Sequence, residues 1–236
     1  MKKPAFRITF LLCGVLITLF SCTTDCNYDV KTSAVTEVTA TSAKSGGNIK
    51  GENENSLLVT CDSYIGERGI CWSKKPSPDY YDDHQKKDGS GTGKFATTLS
   101  NLTPNTTYYI RAYAFDKDEE TIGLFEILYG QTYSFTTKNG IGDIATNTVS
   151  SIEVTSAISG GTITDDGGSP IIGRGVCWST LPNPTTGNTK TINGNGTGTF
   201  VSSLTGLTSN TTYYLRAYAV NSVTTFYGSE VSFTTP

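Results

Sequence analysis

A block of sequence that occurs twice constrains this chain more than any other feature. The hexapeptide Arg-Gly-Ile-Cys-Trp-Ser at residues 68–73 returns as Arg-Gly-Val-Cys-Trp-Ser at residues 174–179. A decapeptide that begins Asn-Thr-Thr-Tyr-Tyr at residue 105 returns almost unchanged at residue 210. The copies lie about 105 residues apart, whereas solenoid repeats have periods of roughly 20–50 residues. The spacing indicates a duplicated domain, and we expect specific function where the two copies differ.

Short strand-like segments separated by turn residues fill both copies. Thr, Val, Ile, Tyr and Phe dominate the segments, and Gly, Asn, Pro and Asp dominate the gaps. Alternation predicts that one face of a long strand points into a core, namely Tyr108, Ile110, Ala112 and Ala114. We expect the first strands of the copies at residues 35–40 and 151–155. No helical period is visible after residue 21, so the pattern predicts an all-β chain.

The long strand also carries a family resemblance. Leu102 precedes Tyr108 at the spacing of a tyrosine corner, in which the phenol bonds to the backbone, and Leu207 with Tyr213 repeats it. The pattern Leu-x-x-x-Thr-x-Tyr-x-x-Arg-Ala-Tyr-Ala, followed by Tyr-Gly and Ser-Phe-Thr-Thr, resembles fibronectin type III domains. The Arg-Gly-Val-Cys-Trp-Ser version resembles a variant common in exported proteins of the Bacteroidota. The core Trp lies in the third strand, as in immunoglobulin domains, whereas type III domains usually carry it in the second.

This resemblance implies two tandem fibronectin type III or immunoglobulin-like β-sandwiches, used for binding or spacing and not for catalysis. We place domain 1 at residues 34–137 and domain 2 at residues 148–236. Between them, residues 138–147 form a linker short enough to restrict relative motion. Residues 22–33 are predicted to be a polar tether ahead of domain 1.

Residues 1–21 are typical of an export signal. Lys2, Lys3 and Arg7 precede an apolar run that is too short to span a membrane comfortably. The run ends in Leu-Phe-Ser before Cys22, which resembles the lipobox of bacterial lipoproteins. That resemblance implies a lipid on the Cys22 thiol and a protein held in the outer membrane, on its periplasmic or cell-surface side. A plain secretory signal with an incidental Cys22 is the alternative.

The charge balance argues against nucleic acid as a partner. Three of the 18 basic residues lie in the signal segment, which leaves 15 basic against 21 acidic residues. Nothing resembles the basic stripe that binding to phosphate backbones requires. Domain 2 carries only three basic residues, Arg174, Lys190 and Arg216.

The cysteines leave the disulfide pattern open. Cys177 is alone in its domain, so duplication predicts that Cys71 is unpaired too, and both are expected to be small buried side chains. A Cys26–Cys61 bridge, a Cys61–Cys71 bridge and four free thiols all remain possible, because sequence does not determine connectivity. The spacing of these residues does not indicate a zinc site.

No catalytic residue, cofactor or metal is predicted. A serine or cysteine hydrolase needs a base, and the single His, His84, lies in what we expect to be a polar loop. The acidic groups at residues 82–83, 116–120 and 165–166 are interpreted as solvated clusters, with a calcium site as the alternative. The Gly-rich runs at residues 89–93 and 194–198 precede strands, which excludes a phosphate-binding loop.

The last hairpin loop of domain 1 is the main candidate binding site. It has seven more residues than its counterpart and is acidic at its start and apolar at its end. Its apolar residues are Ile122, Leu124, Phe125 and Leu128, and Tyr80 with Tyr81 could add aromatic surface. A cluster of apolar residues in a loop suggests a contact, either with domain 2 or with a protein or glycan.

The sequence therefore predicts a non-catalytic, lipid-anchored cell-envelope protein that binds a protein or glycan or acts as a spacer, for example in adhesion. A structural subunit of a surface assembly, such as a fimbria-like or nutrient-uptake complex, is the alternative. A hydrolase accessory protein is a third alternative.

Overall fold

The computed structural model describes residues 26–53, 65–81, 83–117 and 125–236. The signal segment, Cys22, Cys61, Ile122 and Leu124 lie outside these residues, so the predictions made for them stay predictions. Within the described ranges the regular elements are β-strands, which confirms the all-β prediction. No helix found there is long and apolar enough to cross a membrane.

Domain 1 is a sandwich of two antiparallel sheets. Its strands are β1 (Cys26–Thr32), β2 (Ala43–Asn53), β3 (Ile65–Ser73), β4 (His84–Lys87), β5 (Gly93–Leu99), β6 (Thr107–Lys117), β7 (Phe125–Tyr129) and β8 (Tyr133–Thr136). One sheet has the order β1-β2-β5, and the other has the order β4-β3-β6-β7 with β8 also paired to β6.

Domain 2 repeats this topology strand for strand. Its strands are β9 (Asp143–Thr146), β10 (Ser156–Asp165), β11 (Gly173–Ser179), β12 (Thr189–Lys190), β13 (Gly198–Thr205), β14 (Thr212–Val220), β15 (Thr225–Tyr227) and β16 (Val231–Thr234). The sheets are β9-β10-β13 and β12-β11-β14-β15, with β16 also paired to β14. The predicted tandem sandwiches are confirmed.

Each domain has its own core, as the alternation in the long strands predicts. Tyr108, Ile110, Ala112 and Ala114 of β6 are all buried in the core of domain 1. The equivalent residues of β14 line the core of domain 2, namely Tyr213, Leu215, Ala217 and Ala219. A fully buried Leu or Ile side chain contributes about 1.5–3 kcal/mol. Separate cores therefore give each sandwich its own source of stability.

The predicted tether was wrong for residues 26–32, which form β1. This strand pairs with β2 along its whole length, from Cys26 opposite Asn53 to Thr32 opposite Gly47. The Val30 side chain is buried in the core, and the Thr32 hydroxyl accepts a hydrogen bond from the Ala112 backbone N–H at 2.9 Å. These contacts come from residues far along the chain, so the polar local sequence did not reveal the strand.

The predicted linker, residues 138–147, was also too long, because part of it pairs with residues far along the chain. Residues 143–146 form β9, which pairs with β10 as β1 pairs with β2. Conversely, residues 35–40 and 151–155 are not strands; single β-bridges form at Thr36, within the first segment, and at Ser150, just before the second. Glu37 and Ser151 adopt φ angles of 48° and 47°, and this left-handed backbone interrupts an extended strand.

Direct hydrogen bonds join the two domains. The Ala40 N–H donates to the Gly168 carbonyl at 2.8 Å, and the Lys138 N–H donates to the Thr39 carbonyl at 3.0 Å. The buried Asn221 amide donates to the carbonyls of Gly140 at 2.7 Å and Asp166 at 3.1 Å. Residues 138–140 therefore form hydrogen bonds with both sandwiches.

Candidate functional site

Features shared by the two domains hold the sandwich together. The guanidinium group of Arg68 donates to the Gly91 carbonyl at 3.0 Å and lies 5.4 Å from the Phe95 ring centroid. Arg174 makes the same bond to Gly196 at 3.0 Å and lies over the ring of Phe200. Each arginine thus ties a Gly-rich turn and a core aromatic ring to the third strand, and its presence in both copies is structural.

The predicted tyrosine corners are confirmed. The Thr103 N–H donates to the Tyr108 hydroxyl at 3.0 Å, and the Thr208 N–H donates to the Tyr213 hydroxyl at 3.0 Å. Both rings are buried, so each bond satisfies a backbone donor at the edge of a core. This feature also belongs to the scaffold.

The duplicated cysteines are buried free thiols, as expected. Burial raises the pKa of the Cys71 and Cys177 thiols to about 11. Their sulfur atoms lie 3.7 Å and 3.5 Å from the carbonyls of Arg111 and Arg216. A thiol that stays protonated at neutral pH and is shielded from solvent is a poor nucleophile. Any bridge between Cys26 and Cys61 involves residues outside the described side chains.

His84 is not in a loop, because it begins the edge strand β4. It pairs with Trp72, and the two rings lie 5.6 Å apart. Gln85 pairs with Cys71, so the imidazole and the thiol fall on opposite faces of the sheet. The His84 imidazole is therefore placed to pack on Trp72, not to activate the Cys71 thiol.

The described residues contain no group of three or more side chains suited to hold a metal ion. The acidic pair Asp165 and Asp166 instead shapes the turn at the domain junction. Their carboxylates accept hydrogen bonds from the N–H groups of Gly167 at 3.0 Å and Gly168 at 2.8 Å.

An aromatic cluster on the outer surface of domain 1 is the feature that duplication does not explain. We call it the aromatic face, and it consists of Tyr80, Tyr81, Tyr113, Phe115, Glu67 and Lys87. The Tyr80 ring packs edge-on against Phe115 at 4.6 Å and Tyr113 at 4.9 Å, between centroids. Tyr81 packs on Tyr80 at 5.2 Å and is 72% exposed. The face therefore combines a packed base with a ring open to solvent.

A charged pair lies beneath the rings. The Glu67 carboxylate accepts hydrogen bonds from the hydroxyls of Tyr113 at 2.9 Å and Tyr80 at 3.2 Å. It also pairs with the Lys87 ammonium group at 2.5 Å. Burial, together with the hydrogen bond and charge of Glu67, raises the pKa of Tyr113, and the hydrogen bond and charge of Glu67 raise that of Lys87. Both groups therefore keep their protons at neutral pH.

The loop that carries Tyr80 is held in place from below. Its buried Pro78 presents a carbonyl that accepts a hydrogen bond from Arg111 Nε at 2.5 Å. The Tyr80 N–H donates to the Tyr129 hydroxyl at 3.1 Å, and the Arg111 guanidinium lies 3.5 Å from the centroid of the Tyr129 ring. Because these bonds fix the backbone beside Tyr80, the aromatic face is ordered before any ligand binds.

Domain 2 does not reproduce the aromatic face. Glu67 pairs with Phe115, whereas the equivalent pair in domain 2 is Gly173 with Val220. Continuing the pairing of β11 with β12 places Ile192 where domain 1 has Lys87. Glu67, Lys87 and Phe115 were missed by sequence reasoning, although comparison of the two copies, position by position, could have found them.

The structure does not bring all the candidate residues predicted from the sequence to one site. Tyr80 and Tyr81 lie together on the aromatic face. Leu128 is not in a loop, because it belongs to β7, pairs with Ala114 and packs against the core of domain 1. Its neighbour Ile127 pairs with Phe115 on the outer surface instead. Phe125 begins β7, and the other two apolar candidates lie outside the described residues.

Lys117 and Phe125, the residues on either side of residues 118–124, lie far from the linker to domain 2. Thr107 pairs with Thr136, next to the linker, whereas Lys117 pairs with Phe125 ten residues further along β6. At about 3.3 Å per residue, the two positions are roughly 33 Å apart. The described contact with domain 2 is made instead by residues 39–40 and 138–140.

Topology and packing define a protein of two tandem antiparallel β-sandwich domains, each with its own core. A two fibronectin type III domain segment from chicken tenascin is similar, with 15% sequence identity and a TM-score of 0.30, covering 86% of this chain and 97% of that one. The FN1–FN3 domains of chicken CNTN1 match with 11% identity and a TM-score of 0.36, covering 86% of this chain and 66% of that one.

No protein-family model matches the chain. No curated protein matches it either.

Proposed function

We propose that this chain is a non-catalytic, lipid-anchored cell-envelope protein that binds a protein or glycan through the aromatic face of domain 1. The observation that carries the proposal is the restriction of this face to one of two domains that share the same topology. Scaffold features such as the tyrosine corners occur twice, because both sandwiches need them. A solvent-exposed ring backed by ordered aromatic residues has no counterpart in domain 2 and adds little to the core.

The chemistry of the face suits recognition. Aromatic rings provide a large, stiff contact area at a low cost in conformational entropy, and Tyr is enriched at binding hot spots. The exposed Tyr81 ring can stack on the apolar face of a sugar or on a side chain of a protein. Lys87, which pairs with Glu67 on the same face, remains largely exposed and can donate to a hydroxyl or carboxylate of the ligand.

Catalysis is not supported by the same residues. The carboxylate of Glu67 is already bonded to two phenols and an ammonium group, and the thiols are buried. Hydrolytic turnover that is abolished by His84→Ala would establish an enzyme instead.

The rigid junction supports a spacer role as a second function. Hydrogen bonds from both domains hold residues 138–140, so the sandwiches can keep a defined separation between an anchor and a distant partner. This property would also suit a structural subunit of a surface assembly.

Binding can be tested on a glycan array and by pull-down from envelope extract with the whole chain. We expect Tyr81→Ala to weaken the recovered interaction at least tenfold, about 1.4 kcal/mol, because it removes an exposed anchor ring. The matched control is Leu181→Ala, since Leu181 is 71% exposed in the corresponding loop of domain 2. Equal binding by wild type and Tyr81→Ala, or equal loss in both variants, would contradict a site on the aromatic face.

A further inference from the structure

A shallow depression crosses the outer surface of the three-stranded sheet of domain 1. It has a volume of about 440 Å³ and is lined by Ser33, Gly47, Asn48, Lys94, Phe95 and Ala96. The surface is low here because Ser33, Gly46 and Ala96 are small and lie side by side. Gly46 pairs with Ala96, and its carbonyl accepts from the Ser33 N–H at 2.9 Å. The aromatic face belongs to the other sheet, so the depression is a separate feature.

Three polar side chains in the depression are available to a ligand. Ile49 and Phe95 face the core, so their neighbours Asn48 and Lys94, which pair with each other, point outward. The Asn48 amide, the Lys94 ammonium group and the Ser33 hydroxyl make no hydrogen bond or ion pair with the part of the chain that the structure describes. Their bonding capacity is therefore met by solvent alone.

The equivalent place in domain 2 is built differently. The registers of the two sheets give the correspondence, and the residues in place of Ser33, Asn48, Lys94 and Ala96 are Asn147, Thr162, Thr199 and Val201. The Thr162 hydroxyl donates to Asn147 Oδ1 at 3.4 Å and lies 3.2 Å from the Thr199 hydroxyl. The polar groups of domain 2 thus bond to one another, and Val201 adds bulk where domain 1 has a methyl group. The open depression is specific to domain 1.

The charge of the depression favours an anion. Lys94 is the one charged residue in its lining. Two carboxylates on the same sheet surface already have cationic partners, since Asp29 pairs with Lys31 at 3.1 Å and Glu37 pairs with Lys44 at 2.6 Å. Among the described side chains, the ammonium group of Lys94 is therefore left to pair with a negative group from outside the domain.

We propose that this depression binds a carboxylate-bearing sugar of an acidic polysaccharide. Lys94 pairs with the carboxylate, while the Asn48 amide and the Ser33 hydroxyl can each donate to and accept from ring hydroxyls. These residues lie on three neighbouring strands about 4.8 Å apart, so they reach across roughly 10 Å of an extended ligand. The Phe95 ring faces the core, so the apolar lining is small, as suits a sugar ring better than a large apolar side chain of a protein.

An NMR titration of the chain from residue 22, carrying Cys22→Ser, with trigalacturonate tests the proposal. We expect a Kd of about 0.1–1 mM, as suits a shallow site, and amide shift changes centred on residues 33, 48 and 94–96. Lys94→Thr should weaken binding about fivefold or more, because it removes the charge that pairs with the carboxylate. The methyl-esterified trisaccharide keeps its ring hydroxyls but has no charge, and should bind about fivefold more weakly for the same reason.

The matched control is Lys50→Thr, which makes the same change of charge on the same surface but outside the depression, opposite Asp29. It should change the Kd less than about twofold, because solvent screens an exposed charge that does not touch the ligand. Both lysine variants carry the residue that domain 2 has at that position, so the fold tolerates them. Tyr81→Ala should leave the Kd unchanged, which separates this site from the aromatic face.

Three results would each overturn the proposal. The first is the absence of shift changes up to about 10 mM trisaccharide, well above the expected Kd. The second is equal weakening by Lys94→Thr and Lys50→Thr, which would indicate attraction to the surface as a whole. The third is tighter binding of triglutamate than of trigalacturonate, which would indicate an acidic peptide as the ligand.

Discussion

Single buried hydroxyl groups hold the ends of the strands in both domains. In domain 2 the Tyr213 hydroxyl accepts from the Thr208 N–H at 3.0 Å. The Thr235 hydroxyl accepts from the Thr211 N–H at 3.1 Å and donates to the Thr208 carbonyl at 2.6 Å. Both side chains are buried, so loss of either partner leaves a backbone group without a hydrogen bond.

At this scale we predict that Tyr213→Phe destabilises domain 2 by about 1–2 kcal/mol, because the Thr208 N–H loses its acceptor. Urea unfolding can be followed by the fluorescence of Trp178 in a Trp72→Phe background, since the chain has 2 tryptophans. Tyr214→Phe is the control, because the adjacent Tyr214 side chain points away from the core and is only half-buried. Comparable destabilisation by both variants would show that the tyrosine corner contributes nothing specific.

The linker between the sandwiches shows how one short element acquires its geometry from both neighbours. Gly167 and Gly168 have φ angles of 71° and 79°, which glycine adopts readily. A Cβ on Gly168 would lie 2.3 Å from Lys138 Cδ, so the turn fits closely around the linker. Asn221 completes the junction, since its Oδ1 also accepts from the N–H groups of Val223 and Thr224, both at 2.9 Å.

For this element we predict that Asn221→Ala loosens the junction. The variant loses four hydrogen bonds of a buried side chain, and local opening around residues 138–142 should become easier. Tryptic cleavage after Lys138 should accelerate about tenfold or more, the response of a cleavage rate that follows local opening. Asn188→Ala, which removes one bond in an exposed loop of domain 2, should leave cleavage unchanged. If both variants are cleaved at the wild-type rate, Asn221 does not hold the junction.

Seen as a whole, the chain enters domain 1 at the end remote from domain 2. Cys26 pairs with Asn53, whereas Ala43 at the opposite end of β2 lies close to Ala40, which bonds to domain 2. A lipid on Cys22 would be separated from β1 by four residues, which span at most about 14 Å. Under the proposed anchoring, domain 1 lies next to the membrane and domain 2 projects away from it.

The corresponding prediction is that Cys22→Ser abolishes firm membrane attachment, because it removes the thiol that would carry the lipid. Several acyl chains, at about 0.8 kcal/mol per buried methylene, would hold the protein firmly in the membrane, and the variant has no thiol to which they could be attached. Detergent phase partitioning and mass spectrometry measure the attachment. Cys26→Ser serves as the control, since it changes the other cysteine near the membrane. Lipidation that persists in Cys22→Ser would show that the anchor is elsewhere.

The structure confirms the core-facing residues of the long strands and the tyrosine corners, both predicted from local patterns. The alternation in β6 was enough to identify the core-facing residues, because side chains of a strand alternate strictly between its faces. Glu37 and Ser151 show where this reasoning failed, since their left-handed backbone ends strands that composition alone predicted. Tyr80 and Tyr81 were identified as candidates, but Glu67 joins them only through the pairing of β3 with β6.

The sequence by itself determined the duplication, the all-β class, the tyrosine corners and the unpaired state expected of the repeated cysteines. Each of these depends on residues close together in the chain or on identity between the copies. Only the tertiary structure decided that residues 26–32 form a strand and that the aromatic face unites residues of β3, β4, β6 and the loop that carries Tyr80. These features depend on strand pairing and register between distant residues, which the local pattern of a sequence does not encode.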